Sequence, residues 1–415
     1  MLYFDHCSST PPHPDVVRTL SEVMQRHYAN PASMHQAGME ADKLMQRARS
    51  VAAELYGTKP EEWIFTSGGT ESNNLAIKGA ARALRSRGNH LITTKIEHAS
   101  VYEAFRALEE EGFEVTYLQV EQDGRLDPAR LEQALTDRTT LVSVMQVNNE
   151  TGAVQPIEQI GQLLSRYPKI VFHVDGVQAA GKLETRIKEW HVDLYSISAH
   201  KLQGPKGTGW LYVRESLRLT PLLSGGDQER GLRPGTPNMP AIIAAAKALR
   251  LAHESRPERF ARMRQLRGRL LDGLAAVHGL TLIDSEQGGV VAQAAKQRPD
   301  GVNGEAAAQA RLSKDIVLAA PHVICCCFPG LKPEVVVHAL EERGIIISTK
   351  SACSSRRNQP SRVLLGMGLG DELAQSSLRI SLGDEHTEQD IDQLIAELTA
   401  VAARLKPLAR GGAYR

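Results

Sequence analysis

Lys201 ends an apolar stretch, Ser196-Ile197-Ser198-Ala199-His200-Lys201, and precedes the turn Gly204-Pro205-Lys206-Gly207. A lysine at the carboxyl end of a strand, hemmed by Ser, His and a Gly/Pro turn, is placed for Schiff-base chemistry; a surface lysine lying along apolar neighbours is the plainer alternative. Asp175 closes another apolar run, His173-Val174-Asp175-Gly176-Val177-Gln178. It could face a cofactor cation, bind magnesium or cap a helix. A third cluster, Thr66-Ser67-Gly68-Gly69-Thr70-Glu71-Ser72, lies between a strand and a helix pattern. It fits a phosphate cradle at a helix N-terminus, or an ordinary N-cap. No Gly-Lys-Ser/Thr follows at the Walker spacing.

Strand-like runs alternate with amphipathic stretches between about Trp63 and Val213. The strand candidates are Trp63–Thr66, His90–Thr94, Glu114–Leu118, Leu141–Val147, Ile170–Val174, Leu194–Ser198 and Trp210–Val213, with helix patterns at Glu71–Arg87, Ser100–Glu111 and Asp127–Leu135. This alternation predicts an α/β domain with a mostly parallel sheet, whose ligands sit at the carboxyl ends of the strands. Neighbouring strands lie about 4.8 Å apart, so Asp175 and Lys201 can face one planar ring. Pyridoxal phosphate asks for that set: a lysine, an acid for the pyridinium nitrogen and a phosphate cradle. His98 and Asn149, after two further strands, can add an imidazole for the ring face and an amide for its phenolic oxygen.

Leu223–Pro240 reads as a long ordered loop and Ala241 to about His278 as one long helix. Glu286–Leu312 reads as a loop or irregular insertion, and His322–Phe328, Lys332–Arg343, Ile345–Ser348, Arg379–Leu382 and Glu388–Leu405 as a smaller α+β unit. The expected division is a large domain over 15–255 and a small one from 1–14 with 256–415.

Composition narrows the classes. Of 415 residues, 49 are Lys or Arg and 48 Asp or Glu, which disfavours a strongly basic grip on nucleic acid. Five cysteines are too few for a disulfide scaffold. No basic-then-apolar leader and no run long enough to span a bilayer is visible, so the expected location is cytoplasmic. The basic, Gly-rich stretch from Lys406 reads as a frayed tail.

In collinear order, the segments at 66–72, Glu97-His98, 147–150, 173–178 and 198–207, with Arg233-Pro234-Gly235-Thr236, Ser351-Ala352-Cys353-Ser354-Ser355 and 377–383, resemble the cysteine desulfurases. These are class V aminotransferases of the fold-type I pyridoxal-phosphate architecture. The resemblance implies Lys201 as the cofactor-bearing lysine, Asp175 on the pyridine nitrogen, Gln178 and Asn149 near the phenolic oxygen, and His98 on the ring face. It implies Gly69, Thr70, Ser198 and His200 at the phosphate, with Thr236 arriving from the second subunit of a homodimer. Arg379 matches the arginine that takes the substrate carboxylate, with Asn149 beside it.

Cys353 separates a desulfurase from aminotransferase relatives. Its small, polar, cationic segment suits a reactive thiol, since nearby arginines favour thiolate. The implied reaction converts L-cysteine to alanine, leaves a persulfide on Cys353 and passes sulfur to a protein acceptor. The segment 350–362 looks more like desulfurases serving tRNA thiolation or thiamine synthesis than iron–sulfur assembly. A selenocysteine lyase, a plain class V aminotransferase and a non-catalytic partner-binding protein are the alternatives. Cys325, Cys326 and Cys327 alternate faces along a strand and cannot converge on one metal ion; they read as small apolar residues, as does Cys7.

Overall fold

A computed structural model describes residues 1–291, 317–350 and 359–411. The strands are β1 (Leu2–Tyr3), β2 (Trp63–Thr66), β3 (His90–Thr94), β4 (Glu114–Leu118), β5 (Thr139–Met145), β6 (Val171–Asp175), β7 (Leu194–Ser198), β8 (Gly209–Val213), β9 (Thr281–Asp284), β10 (Gly289–Val291), β11 (Val323–Cys327), β12 (Ile345–Ile346) and β13 (Ser377–Ser381). Seven of them form one sheet in the order β2-β8-β7-β6-β5-β3-β4, parallel except where β8 runs against β7 and β2. Side chains alternate between two buried faces. Ile92, Val142, Phe172 and Tyr195 join one apolar cluster; Leu91, Leu141, Val171 and Leu194 join another. Burial on both faces explains why these strands read as continuous apolar runs. His173, within β6, ties the neighbouring strands: its ring bonds Ser143 Oγ of β5 at 2.8 Å and Ser196 Oγ of β7 at 3.0 Å.

The helices α3 (Gly69–Leu84), α4 (Ala99–Glu110), α5 (Pro128–Ala134) and α6 (Ile157–Leu164) fall where the alternation predicts crossover elements. Two earlier helices, α1 (Pro14–Arg26) and α2 (Gln36–Tyr56), lie in a stretch for which the sequence reading names no element. Their signals are nevertheless present. His35 caps α2 by accepting the Gly38 N–H, Ala41, Met45, Ala48 and Ala52 recur on one buried face, and Gly57 closes the helix at φ 62°.

The single long helix expected from Ala241 is two, α7 (Met239–Glu254) and α8 (Arg256–Ala275). Pro257 explains the break: its nitrogen carries no hydrogen for the preceding turn, so it opens a new helix instead. The smaller unit matches its expected order, with α9 (Pro333–Glu341), α10 (Arg362–Gly366), α11 (Asp371–Gln375) and α12 (Glu388–Gly411) around the sheet β10-β9-β11-β13. Of the predicted irregular stretch Glu286–Leu312, Gly289–Val291 forms β10; residues 292–312 lie outside the described residues. The N-terminal strand β1 pairs with β12, and Asp5 bridges Ser381, so the chain start belongs to the small sheet's side.

Cys325 and Cys327 face the large-sheet core and Cys326 the small-unit core, the alternation a strand requires. Burial raises the Cys326 thiol well above its ordinary pKa, as befits an inert apolar residue.

Gly161, inside α6, gives a test of the packing. A Cβ there would lie 1.7 Å from the Trp190 carbonyl oxygen, a backbone atom that cannot swing away. Gly161→Ala should destabilise the fold by about 3 kcal/mol, read as a lower urea midpoint. An unchanged midpoint would refute the packing of α6 against the Trp190 turn.

Candidate active site

Register decides where the chemistry sits. β6 and β7 run parallel with Asp175 opposite Ser196, so Asp175 ends one strand beside the strand that leads to Lys201. After Ser198 a short 3-10 turn, Ala199–Lys201, lifts the lysine off the sheet. A cavity of about 180 Å³ opens at these strand ends. Gly69, Thr70, His98, Asn149, Asp175, Gln178, Ser198, His200, Lys201 and Arg379 all line it.

Lys201 Nζ donates to the carbonyl oxygens of Cys7 at 2.5 Å and Ser8 at 2.7 Å. Burial pulls its pKa down to about 8, and the charges of Arg379 and Lys182 act in the same direction. Both neutral amine and ammonium are therefore accessible near neutral pH.

Asp175 is 4% exposed. Its carboxylate accepts the Val177 N–H at 3.0 Å and the Asn73 side-chain amide at 2.8 Å. Burial raises its pKa, while those two donors and the Lys201 charge pull the other way. It is a buried acid held by dipoles, with room for a cationic partner.

His98 caps α4, its Nδ1 accepting the Ser100 N–H at 3.2 Å. That bond places the ring proton on Nε2. Burial pushes its pKa down to about 4, with Lys201, Arg362 and Arg379 adding, so the ring is neutral at physiological pH.

Arg379 lies on β13 and reaches across to the large sheet. Its guanidinium donates to Asn149 O at 2.9 Å, Asp5 Oδ1 at 2.9 Å and Ser8 Oγ at 2.7 Å. Nε stays buried, with no hydrogen-bond partner among the described residues. The arginine is thus rigidly aimed, with donor capacity to spare for a carboxylate.

The Gly-rich loop makes the opposite wall. Gly68 takes φ 149°, a region open to glycine, and a Cβ on Gly69 would meet Val177 Cγ2 at 2.7 Å. Glu71 braces this loop, accepting the Ser67 N–H at 2.8 Å and pairing with Arg233 at 2.9 Å.

Thr236 is exposed and lies apart from the residues lining this cavity. Cys353 lies outside the described residues, but the chain on either side of 351–358 is anchored next to the site. Ser348 and Arg379 exchange backbone hydrogen bonds, Lys350 Nζ donates to Gln359 O, and Ser361 Oγ donates to Glu150 at 2.6 Å.

Sequence reasoning missed four contributors: Asn73, Ser100, Ser8 and Cys7. Asn73 donates to both Asp175 and Ser100; a buried asparagine one position past the Gly-rich cluster was the available signal. Cys7 is buried among Val147, Ala179 and Val323 as a small apolar residue would be, yet it also lines the cavity. Its carbonyl serves Lys201 and Gln178, a backbone role its side chain does not advertise.

Glu97, beside His98, is fully buried. Its Oε1 accepts Thr94 Oγ1–H at 2.7 Å and the Met145 N–H at 3.1 Å, while Oε2 has no partner. Burial pushes its pKa up to about 8, with Asp175 adding. The unfolded chain ionises this group near pH 4.3. Its contribution to stability is therefore fully present below that value and is lost as pH rises through about 8. Glu97→Gln removes the titration, so its stability relative to wild type should improve by a few kcal/mol from about pH 4 to pH 9. Urea unfolding across that range checks this; a difference independent of pH would refute it.

Comparison with known proteins agrees with this geometry. The aminotransferase class-V family model matches residues 2–298 and 305–394. A NifS/IcsS protein homolog of Lactobacillus delbrueckii subsp. bulgaricus is 40% identical over 397 residues, 95% of this chain and 96% of that protein. A cysteine desulfurase IscS of an Anaeromyxobacter species is 40% identical over 410 residues, 98% of this chain and 94% of that protein. Among solved structures, a NifS-like protein superposes with a TM-score of 0.85 at 32% identity, covering 97% of this chain and all of that one. The structure of SspA in complex with cysteine superposes with a TM-score of 0.75 at 32% identity, covering 92% and 99%. The chain belongs to the class-V aminotransferase family and, within it, to the cysteine desulfurases.

Proposed function

We propose that this enzyme converts L-cysteine to L-alanine with pyridoxal 5′-phosphate carried on Lys201 and Cys353 receiving the sulfur. The observation that carries the reading is the convergence of Lys201, Asp175, His98 and Arg379 on one cavity, Asp175 and Arg379 from strands and Lys201 and His98 from the turns that follow strands.

The residues fit the cofactor. A side chain at Gly69 would fill the space beside Val177, so the glycine leaves a cradle at the N-terminus of α3, where a phosphate is favoured. Thr70, Ser198 and His200 line the same end, and Gln178 and Asn149 are the amides for the phenolic oxygen. Asp175, buried among dipolar donors, would gain from a protonated ring nitrogen. When bound, the cofactor supplies an electron-accepting ring that stabilises negative charge at the substrate Cα.

The chain's own residues account for the remaining chemistry. Arg379 binds the substrate carboxylate and orients Cα toward Lys201. The Lys201 amine, with its lowered pKa, removes the α-proton near neutral pH. His98, neutral with its proton on Nε2, would lie against the cofactor ring and could pass a proton to or from the substrate thiol. The Cys353 thiolate attacks the substrate sulfur: the new S–S bond leaves a persulfide on Cys353, the C–S electron pair returns to carbon, and protonation gives alanine. The persulfide then passes to a thiol on an acceptor protein. Exposed Thr236 suits a contribution to the phosphate site of a second copy, which makes the working unit a homodimer. Among the described residues no helix is long and apolar enough to cross a membrane, in keeping with a cytoplasmic enzyme.

Purified protein supplied with the cofactor should release alanine from cysteine. Cys353→Ala should keep the cofactor's visible absorbance but lose persulfide and at least about 100-fold in alanine turnover, and Lys201→Ala should lose turnover altogether. Alanine formation that survives Cys353→Ala would overturn the sulfur-acceptor role.

A further inference from the structure

Lys182 is a partly buried amine that the proposed chemistry does not use. It follows β6 one helical turn after Gln178, and its Nζ donates to Gln178 Oε1 at 3.3 Å. Among the described residues no carboxylate lies within ion-pair distance of it. The charges acting on it are Arg259 of α8 with its partner Asp384 after β13, and Arg379 of β13. On its far side it lines a second cavity of about 570 Å³ with Arg125, Arg256 and Phe260. A partly buried ammonium with no carboxylate at ion-pair distance relies on neutral acceptors, and the Gln178 amide oxygen is one.

The donor's recipient faces the active site. Gln178 Nε2 donates to the Cys7 carbonyl at 3.1 Å, the same oxygen that accepts from Lys201 at 2.5 Å. Two neighbours of opposite character thus address one amide: an ammonium that can only donate and a carbonyl that can only accept. Turning the amide over would set its NH₂ against the ammonium and its oxygen against the carbonyl, two repulsive contacts at once.

We propose that Lys182 is a positioning residue for the cofactor site: it locks the Gln178 amide with Nε2 toward the cavity, where the second N–H is free for the cofactor's phenolic oxygen. This rests on the assignment of Gln178 to that oxygen in the proposed function. Lys182 acts through Gln178 and touches neither substrate nor cofactor. It is wired to the same Cys7 carbonyl as Lys201, so loss of Lys182 loosens one of the two groups that hold this oxygen in place.

A double-mutant cycle read on cofactor affinity and on the bound cofactor's absorbance band separates the possibilities. Lys182→Met and Gln178→Ala should each weaken cofactor binding about three- to tenfold and shift the band in the same direction. The double variant should be no worse than the weaker-binding single, because the two act as one unit. Lys182→Gln, whose amide ends short of the Nζ position, serves as a second variant should the methionine protein fold poorly, and should behave alike. Additive losses, or a Lys182→Met protein with unaltered affinity and band beside a weakened Gln178→Ala, would overturn the positioning role alone. A Gln178→Ala protein with unaltered affinity and band would instead overturn the placement of Gln178 in the cofactor site, and the inference with it.

Discussion

The segment from Phe4 to Thr10 holds the site together, with backbone and side-chain groups alike. Phe4 accepts the Ser381 N–H from β13, Asp5 grips Arg379, the Cys7 carbonyl takes Lys201 and Gln178, and Thr10 exchanges bonds with His200 O and the Gln203 N–H. Within those few residues the chain visits the small sheet, Arg379, Lys201 and the turn behind it. A site assembled from two sheets needs some element that fixes their separation to a fraction of an ångström. Here that element is the turn that follows β1, whose carbonyls cannot be altered without moving the chain. Arg379 supplies the reciprocal bond, reaching from the small sheet to Asn149 O at the end of the large one.

Electrostatics in this cavity follow from the same arrangement. Burial weakens the charged form of three groups that line it: Lys201 holds more neutral amine near neutral pH, His98 stays neutral, and the Asp175 carboxyl is pushed up. The Lys201 charge links the other two shifts to it. Lys201 lowers Asp175 and His98 through its charge, while Arg379 and Lys182 lower Lys201. The cavity is consequently richer in cations than in anions, the environment that an anionic phosphate and a substrate carboxylate would both favour.

Much of this was legible because parallel strands buried on both faces write themselves as apolar runs, and the residues that end those runs stand at the carboxyl edge. Asp175 and Lys201 could be singled out on that ground alone. What could not be read depended on backbone contacts or on context. The Cys7 and Ser8 carbonyls carry no residue-type signal, and Asn73 looks like any polar residue early in a helix until its partner Asp175 is folded onto it. The break between α7 and α8 was written in Pro257, but the Ala- and Leu-rich pattern on both sides outweighed it. In α1 and α2 the helical period was present and no flanking strand drew attention to it.

The two kinds of cysteine show how one residue type is assigned opposite tasks by its surroundings. Cys325, Cys326 and Cys327 are each paired into β11 between β9 and β13; burial disfavours the Cys326 thiolate, and a hydrogen bond with Cys325 together with burial disfavours that of Cys327. A strand of this sort needs small, apolar, close-packing side chains, and a thiol that stays protonated meets the need. Cys353 is set in a segment of serines and arginines whose flanks are tied down at Lys350, Gln359 and Ser361. Ser348, ahead of that segment, exchanges backbone bonds with Arg379. The proposed nucleophile would gain from anchored flanks and a polar surround in meeting a substrate and then an external acceptor. A core strand, where the other three reside, would deny it both.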